Sequence, residues 1–240
     1  MNRWRLTILL LWGLVPTLLG APLRPFRITV EGQVWSVPME MALPLLAQLR
    51  DPEASEGAVQ ALWQRQHEGV AQLLGQPRVL LSDSKVGASE SITELRYPTD
   101  WDPFTIPGMI PQRIVGVRNP YHYGSTVLAP SSMASRNLGV ALEASARLSA
   151  DARTIEVEAA LKQTILDGSD QFPAGHTLGG VIASRAAPRF RRLLSSPFAR
   201  VPNGQWTLVG SFFPTQPGQP AIFHLLRATG HFLTDQNAKP

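Results

Sequence analysis

The strongest constraint on the fold is a pair of alternating runs near the middle of the chain. Between Val140 and Leu148 apolar residues alternate with polar or small ones, and the alternation returns between Ile155 and Leu161. Successive side chains of a strand point to opposite faces of a sheet, so each run predicts a strand with one buried face. The short polar connection between the runs is typical of an antiparallel hairpin. We therefore predict a hairpin over residues 140–161.

Other stretches indicate further strands. The segment Phe26 to Val37 alternates on either side of Glu31-Gly32, which predicts a second hairpin that turns there. The polar, glycine-containing segment from Asp167 to Gly180 predicts a connection. The remaining strand predictions are Arg78–Leu81, Ser91–Tyr97, Trp206–Phe213 after the turn Pro202-Asn203-Gly204, and Ala221–Leu233.

Two helices are predicted ahead of these strands. Pro38 suits the first position of a helix, and Asp51-Pro52 ends it. Its apolar stripe consists of Met41, Ala42, Leu45, Leu46 and Leu49. The stripe of the second helix consists of Val59, Leu62, Trp63, Val70, Leu73 and Leu74, with Gly75 and Pro77 closing the helix. The pattern predicts an α+β protein, with two N-terminal helices followed by a mainly antiparallel β-sheet.

The first residues predict export. Arg3 and Arg5 precede an apolar run from Leu6 to Leu19 and a small-residue exit at Gly20, the arrangement of a secretory signal peptide. The run is short for a transmembrane helix, which needs about 20 residues, although an uncleaved anchor is the alternative. We expect four regions: a signal peptide (1–20), a strand and helix region (21–76), a β domain (77–233) and a flexible tail (234–240). The expected location is the periplasm or the outer membrane.

Composition limits the kinds of partner and of chemistry that are open to the chain. The formal net charge of +4 falls by two when Arg3 and Arg5 are removed, which argues against a nucleic-acid partner. The chain has no cysteine, which excludes disulfides and thiol catalysis. One local cluster of arginines indicates a solvated or salt-bridging strand face, or else a surface for an anionic lipid or partner. Its members are Arg185, Arg189, Arg191 and Arg192.

Common catalytic motifs are missing from the sequence. It contains neither the Gly-x-Ser-x-Gly nucleophile turn nor a phosphate-binding glycine loop. His67-Glu68 begins like a zinc-binding helix motif, but Ala71 stands where the second histidine is required. His224 and His231 are seven apart on a predicted strand, which places them on opposite faces. We predict no catalytic residue, no cofactor and no metal site, and hence a protein that is not an enzyme.

The stretch from Tyr97 to Pro130 is rich in proline, glycine and aromatic residues, and it predicts a long loop that is either functional or disordered. Its aromatic side chains are the candidate contacts with a protein partner, because a proline-stiffened loop loses little entropy on docking. They are Tyr97, Trp101, Phe104, Tyr121 and Tyr123. Two alternatives stay open: a periplasmic carbohydrate-active hydrolase that uses Asp100 or Asp102, and a soluble ligand-binding module that uses the aromatic loop 97–123.

Four stretches occur in order along the chain: Gln76 to Leu81, Arg136 to Glu143, Val201 to Gly210 and Ile222 to Leu233. In this order they resemble the core of the secretins, the ring-forming outer-membrane channels of type II and type III secretion systems and type IV pili. The first is similar to the family's Pro-Arg-Val strand, the second to the entry into its central hairpin, the third to its glycine turn and following strand, and the fourth to its last strand. Glu94 to Pro103 also resembles a Tyr-Pro-Thr segment of divergent secretin-like proteins.

The chain also departs from the family pattern. Ser211 and Phe212 replace the second glycine and the leucine of a Gly-Gly-Leu motif, and only Pro214 to Pro220 stands where a longer conserved stretch precedes the last strand. Only Ala21 to Gly57 stands where the family carries its ring-building modules. The resemblance implies a non-catalytic component of a secretion or pilus-type assembly in a homo- or hetero-oligomer: a partner ring subunit, a reduced relative or an assembly accessory. We expect assembly by edge pairing, in which exposed strands of the hairpin 140–161 and the last strand join neighbouring chains, because unpaired backbone groups seek partners.

Overall fold

The computed structural model describes residues 26–82, 85–103, 128–149, 153–176, 182–216 and 218–232. The predicted signal peptide and C-terminal tail lie outside these residues. The described elements are, in order, β1 (Phe26–Val37), α1 (Met39–Arg50), α2 (Ser55–His67), β2 (Gln72–Gly75), β3 (Arg78–Ser82), β4 (Val86–Pro103), β5 (Leu128–Leu148), β6 (Thr154–His176), β7 (Ile182–Ser195), β8 (Phe198–Pro202), β9 (Trp206–Phe212) and β10 (Ala221–Phe232). No described helix is long and apolar enough to span a membrane.

The strands form two antiparallel sheets rather than the single sheet that the sequence predicted. The first sheet has the order β2-β1-β10-β9, and β3 also pairs with β1. The second has the order β4-β5-β6-β7, and β8 also pairs with β6. The coarse α+β prediction is confirmed. The division into two sheets could not be seen in the sequence, because β1 finds its long partner, β10, at the far end of the described chain.

The hairpin predicted over residues 140–161 is confirmed, and so is its buried face. Leu142 lies opposite Leu161, and Ala146 opposite Val157. The apolar positions of both runs are buried and belong to the core between the two sheets. Burial of a side chain such as Leu161 stabilises the fold by about 2 kcal/mol. A second cluster, around Trp35 and Phe223, fills the space between the first sheet and the helices.

The hairpin predicted at Glu31-Gly32 is wrong, because β1 runs straight through both residues. Gly32 is needed for packing rather than for a turn. A Cβ atom on Gly32 would lie 2.9 Å from a methyl carbon of Leu161 in the other sheet. Its backbone N–H donates to the Pro77 carbonyl at 2.9 Å. Close approach of a second layer and a tight turn both favour glycine, and the local pattern does not separate them.

The two helices form, but the second is shorter than predicted. In α1 the side chains of Ala42, Leu45 and Leu49 are buried, and the helix follows Pro38 and ends before Asp51 as predicted. The second helix ends at His67, just ahead of Gly69, whose φ is +74°. Leu73 and Leu74 of the predicted stripe belong to β2, which pairs with β1. That part of the prediction is wrong because pairing with a distant strand overrides local helical spacing.

In two predicted connections the described residues form strands, and residues 104–127 of the first lie outside the part of the chain that the structure describes. Tyr97 to Pro103 belong to β4, and Asp167 to His176 belong to β6. The strand β8 had no counterpart among the predictions, and β7 had only the strand face indicated by its arginine cluster. In both segments the pairing with a neighbouring strand continues through proline, glycine and charged residues. These residues show no alternating pattern in the sequence.

Candidate assembly interface

The second sheet divides into two separate hairpins at its far end. The last pair between β5 and β6 is Gly139 with Thr164. Beyond it β5 pairs only with β4, as far as Leu128 with Pro103, and β6 pairs only with β7, as far as His176 with Ile182. We call residues 92–103 with 128–138 the first arm, and residues 165–176 with 182–192 the second arm.

Glycines mark the places where the arms leave the sheet. Gly139, with φ of +123°, stands at the last β5–β6 pair, and a Cβ atom there would lie 2.2 Å from the Ser91 carbonyl oxygen. Gly168, with φ of +97°, lies where the β6–β7 register shifts, between Leu166 and Ser169. Such irregularities bend a strand locally. The first arm therefore diverges at a position that only glycine occupies without strain, and the second arm bends at another such position within its length.

The arms have no hydrophobic core of their own. None of their described side chains is buried, and several large apolar ones are substantially exposed. These are Ile92 (41%), Met133 (58%), Leu166 (48%) and Phe172 (42%). A two-stranded hairpin alone is marginally stable in water. Contacts with another surface would therefore add to the stability of the arms.

Each arm strand also has one side without a described backbone partner. β4 and β7 are the outer strands of the sheet, while β5 and β6 lose their mutual pairing within the arms. A row of unpaired N–H and C=O groups is a template for pairing with another chain. The sequence pattern had favoured two other edges, the hairpin 140–161 and the last strand, and this expectation is wrong. Most of that hairpin is paired on both sides, and β10 lies between β1 and β9.

The two outer strands carry opposite charges. The sequence of β4 holds four carboxylates and one arginine, whereas β7 holds four arginines and no acid. Within the second arm Arg189 lies 3.3 Å from Asp170, and both Arg189 and Arg191 lie 3.9 Å from Asp167. The salt-bridging strand face predicted for the arginine cluster is thus present. The second arm keeps a net positive charge, because it contains four arginines and only two acids, Asp167 and Asp170.

The aromatic candidates are distributed unevenly. Tyr97 lies in the first arm, with its ring centroid 5.2 Å from that of Phe190 in the second arm. The Arg136 guanidinium lies 5.2 Å from the centroid of the same Phe190 ring. Trp101 is half-buried in β4, where its backbone N–H donates to the Asp100 carboxylate at 3.2 Å. Phe104, Tyr121 and Tyr123 lie outside the described residues. Sequence reasoning missed Phe190, although its place within the arginine cluster was a usable signal.

A serine and a histidine join the two sheets. Ser195 Oγ of β7 and His224 Nδ1 of β10 are hydrogen-bonded at 2.9 Å, and both residues are buried. Burial lowers the pKa of His224 from 6.5 to about 4, and its Nε2 has no hydrogen-bond partner among the described residues. His224 faces the core while His231 is exposed, as their spacing predicted. A neutral imidazole without access to solvent stabilises the junction of the sheets and is not placed to react with a substrate.

Comparison with solved structures returns secretins at low identity. The Salmonella SPI-1 type III secretion injectisome secretin InvG is 13% identical with a TM-score of 0.39, over 90% of this chain and 67% of that one. The V. cholerae type IV competence pilus secretin PilQ is 10% identical with a TM-score of 0.41, over 90% of this chain and 63% of that one. The E. coli K12 type II secretion system secretin GspD is 11% identical with a TM-score of 0.35, over 87% and 50%.

The chain therefore spans between half and two thirds of the length of these secretins. They belong to the family that the sequence motifs resemble. No family model matches the chain. No curated protein matches it either.

Proposed function

We propose that this protein is a non-catalytic, exported component of an outer-membrane secretion or pilus-type assembly, in which its two arms complete their sheets by pairing with other chains. The periplasm or the outer membrane is its location in this proposal, which follows the signal-peptide pattern of residues 1–20. The resemblance of four sequence stretches to secretins supports the class of assembly.

The observation that carries the proposal is the pair of arms. β4, β5 and β6 contain 18, 21 and 23 residues, whereas strands of globular proteins usually contain 3 to 10. Their outer parts have neither a second layer nor a described partner on one side. Pairing with another chain would satisfy the free backbone groups and shield the exposed apolar side chains at the same time.

The order and charge of the strands favour a second copy of the same chain. β4 and β7 run in opposite directions, since each strand of the sheet is antiparallel to the next. The β7 strand of one copy can therefore continue the antiparallel sheet beside β4 of another. The acidic β4 would then meet the basic β7. Such a head-to-tail contact produces a ring when the rotation closes.

A charge exchange tests this pairing. Glu90 and Arg192 are exposed on β4 and β7 respectively. Glu90→Arg or Arg192→Glu alone should weaken assembly by placing like charges at the contact, and the double variant should restore it. Light scattering during size-exclusion chromatography of the full chain measures the assembly. Amide hydrogen exchange should show protection of both arms in the oligomer.

Two results would oppose the proposal. One is a wild-type chain that remains monomeric at every concentration and in detergent, and the other is an oligomer in which the arms exchange as fast as in the monomer. A matched control is Glu56→Arg at the exposed start of α2, away from both outer strands. This change alters the net charge equally and should leave assembly intact.

A further inference from the structure

We propose that Tyr97, Phe190 and Arg136 form an intrachain closure, which holds the two arms together in the free protein and competes with the addition of a second copy. We call these three residues the arm contact. The inference rests on the proposed function, and it concerns how assembly is controlled rather than whether it occurs.

The arm contact bridges two hairpins that share no backbone ladder where they meet. Tyr97 and Arg136 belong to the first arm and Phe190 to the second. The Cα atoms of β4 and β7 come within 8 Å of each other. No hydrogen-bonded pairing joins these two strands among the described residues. The outer strands are thus brought together by side chains, while their backbone groups stay available.

The chemistry of the contact suits a closure that can be displaced. The two rings are tilted by 53° to each other, and a guanidinium stands over one of them. A half-buried aromatic pair with one cation–π partner changes an equilibrium constant by about tenfold. A new strand pair supplies a whole series of backbone hydrogen bonds and outweighs this contribution. The free chain should stay closed when dilute and open as copies accumulate.

The absence of cysteine from the natural chain permits a direct test. In the variant Tyr97→Cys/Phe190→Cys, a short, cleavable reagent that joins two thiols would lock the arms together. The locked chain should remain monomeric at concentrations where the wild type assembles. Cleavage of the reagent should restore assembly. Locking that leaves assembly unchanged would overturn the closure.

A matched control exists within the second arm. Phe172 and Arg185 are register partners on β6 and β7, and the guanidinium lies 5.6 Å from the ring centroid. The variant Phe172→Cys/Arg185→Cys, joined by the same reagent, adds an equal restraint without linking the arms. It should assemble like the uncross-linked chain.

Truncation of the Tyr97 side chain should have the opposite effect on assembly to cross-linking. Tyr97→Ala should lower the concentration required for assembly by about tenfold, whereas Phe172→Ala should not lower it. If Tyr97→Ala assembles only at higher concentration, Tyr97 belongs to the contact between copies and the closure is refuted.

Amide exchange of dilute monomers separates this inference from the proposed function. Tyr97→Ala should speed exchange in both arms even if the wild type never forms an oligomer. In that case the proposed function fails while the closure stands. Unchanged exchange in the arms would refute the closure whatever the wild type assembles into.

Discussion

Acidification from pH 7 to pH 4 should weaken the junction between the two sheets through His224. Its side chain is fully buried, Ser195 bonds to its Nδ1, and the Phe212 ring centroid lies 4.9 Å from that of the imidazole. Protonation would place a charge in this site, where no carboxylate is described as its partner. The folded protein therefore holds the imidazole neutral to a much lower pH than the unfolded chain does.

The size of the effect follows from the two pKa values. The pKa is 6.5 in the unfolded chain and about 4 in the folded protein, a difference that corresponds to about 3 kcal/mol. Between these values the unfolded state binds the proton and the folded state does not. Stability from this residue is thus complete above pH 6.5, falls as the pH drops towards 4, and levels off below it.

Denaturant unfolding at a series of pH values, followed by the intrinsic tryptophan fluorescence to which buried Trp35 contributes, measures this dependence. Carboxylates also titrate in acid, so the decisive quantity is the difference from His224→Asn, which keeps a polar group near Ser195 but does not titrate. The wild type should lose about 3 kcal/mol more than the variant between pH 6.5 and pH 4. His67→Asn, at the exposed end of α2, is the control and should behave like the wild type. Parallel curves for the wild type and His224→Asn would refute the reasoning.

Three further predictions concern stability measured by thermal or denaturant unfolding. Gly210→Ala should destabilise by about 1 to 3 kcal/mol, because a Cβ atom there would lie 2.0 Å from Ser195 Oγ; an unchanged midpoint would show that the sheets shift freely. Gly57→Ala, in α2 with nothing within 4 Å of the new atom, should instead stabilise by about 0.5 to 1 kcal/mol, and a loss would contradict the helix there. Glu31→Gln should cost about 1 to 3 kcal/mol, since the largely buried carboxylate binds both Arg78 and Arg227; lysine at Arg78, the more exposed partner, should cost far less.

Prediction from the sequence was most successful where buried residues recur at a regular spacing. The alternation in residues 140–161 predicts one buried face, and the structure has that face in the core between the two sheets. It failed where a glycine had two explanations. Gly32 marks close packing against Leu161 rather than a turn, and Gly139 marks the divergence of the arms. A single residue type serves both uses, so its role depends on neighbours that are distant in sequence.

The candidate interface was anticipated only in part. Tyr97 was selected as a contact residue, and the structure places it against Phe190 of the same chain. The prediction that the hairpin 140–161 and β10 provide the free edges was wrong, because their neighbours are contributed by remote segments. The acidic and basic runs of β4 and β7 were visible in the sequence, but nothing local indicated that these strands form the two borders of one sheet.

The sequence by itself determined the one-sided burial of the hairpin 140–161, where α1 begins and ends, and which catalytic motifs are missing, because these depend on residue type and short-range spacing. Tertiary structure alone decided the pairing of β1 with β10, the end of α2, the division into two sheets and the emergence of two coreless arms. Those outcomes depend on backbone hydrogen bonds between segments far apart in the chain. Every non-proline residue offers the same N–H and C=O groups for such bonds, so the choice of partner leaves little trace in the local pattern.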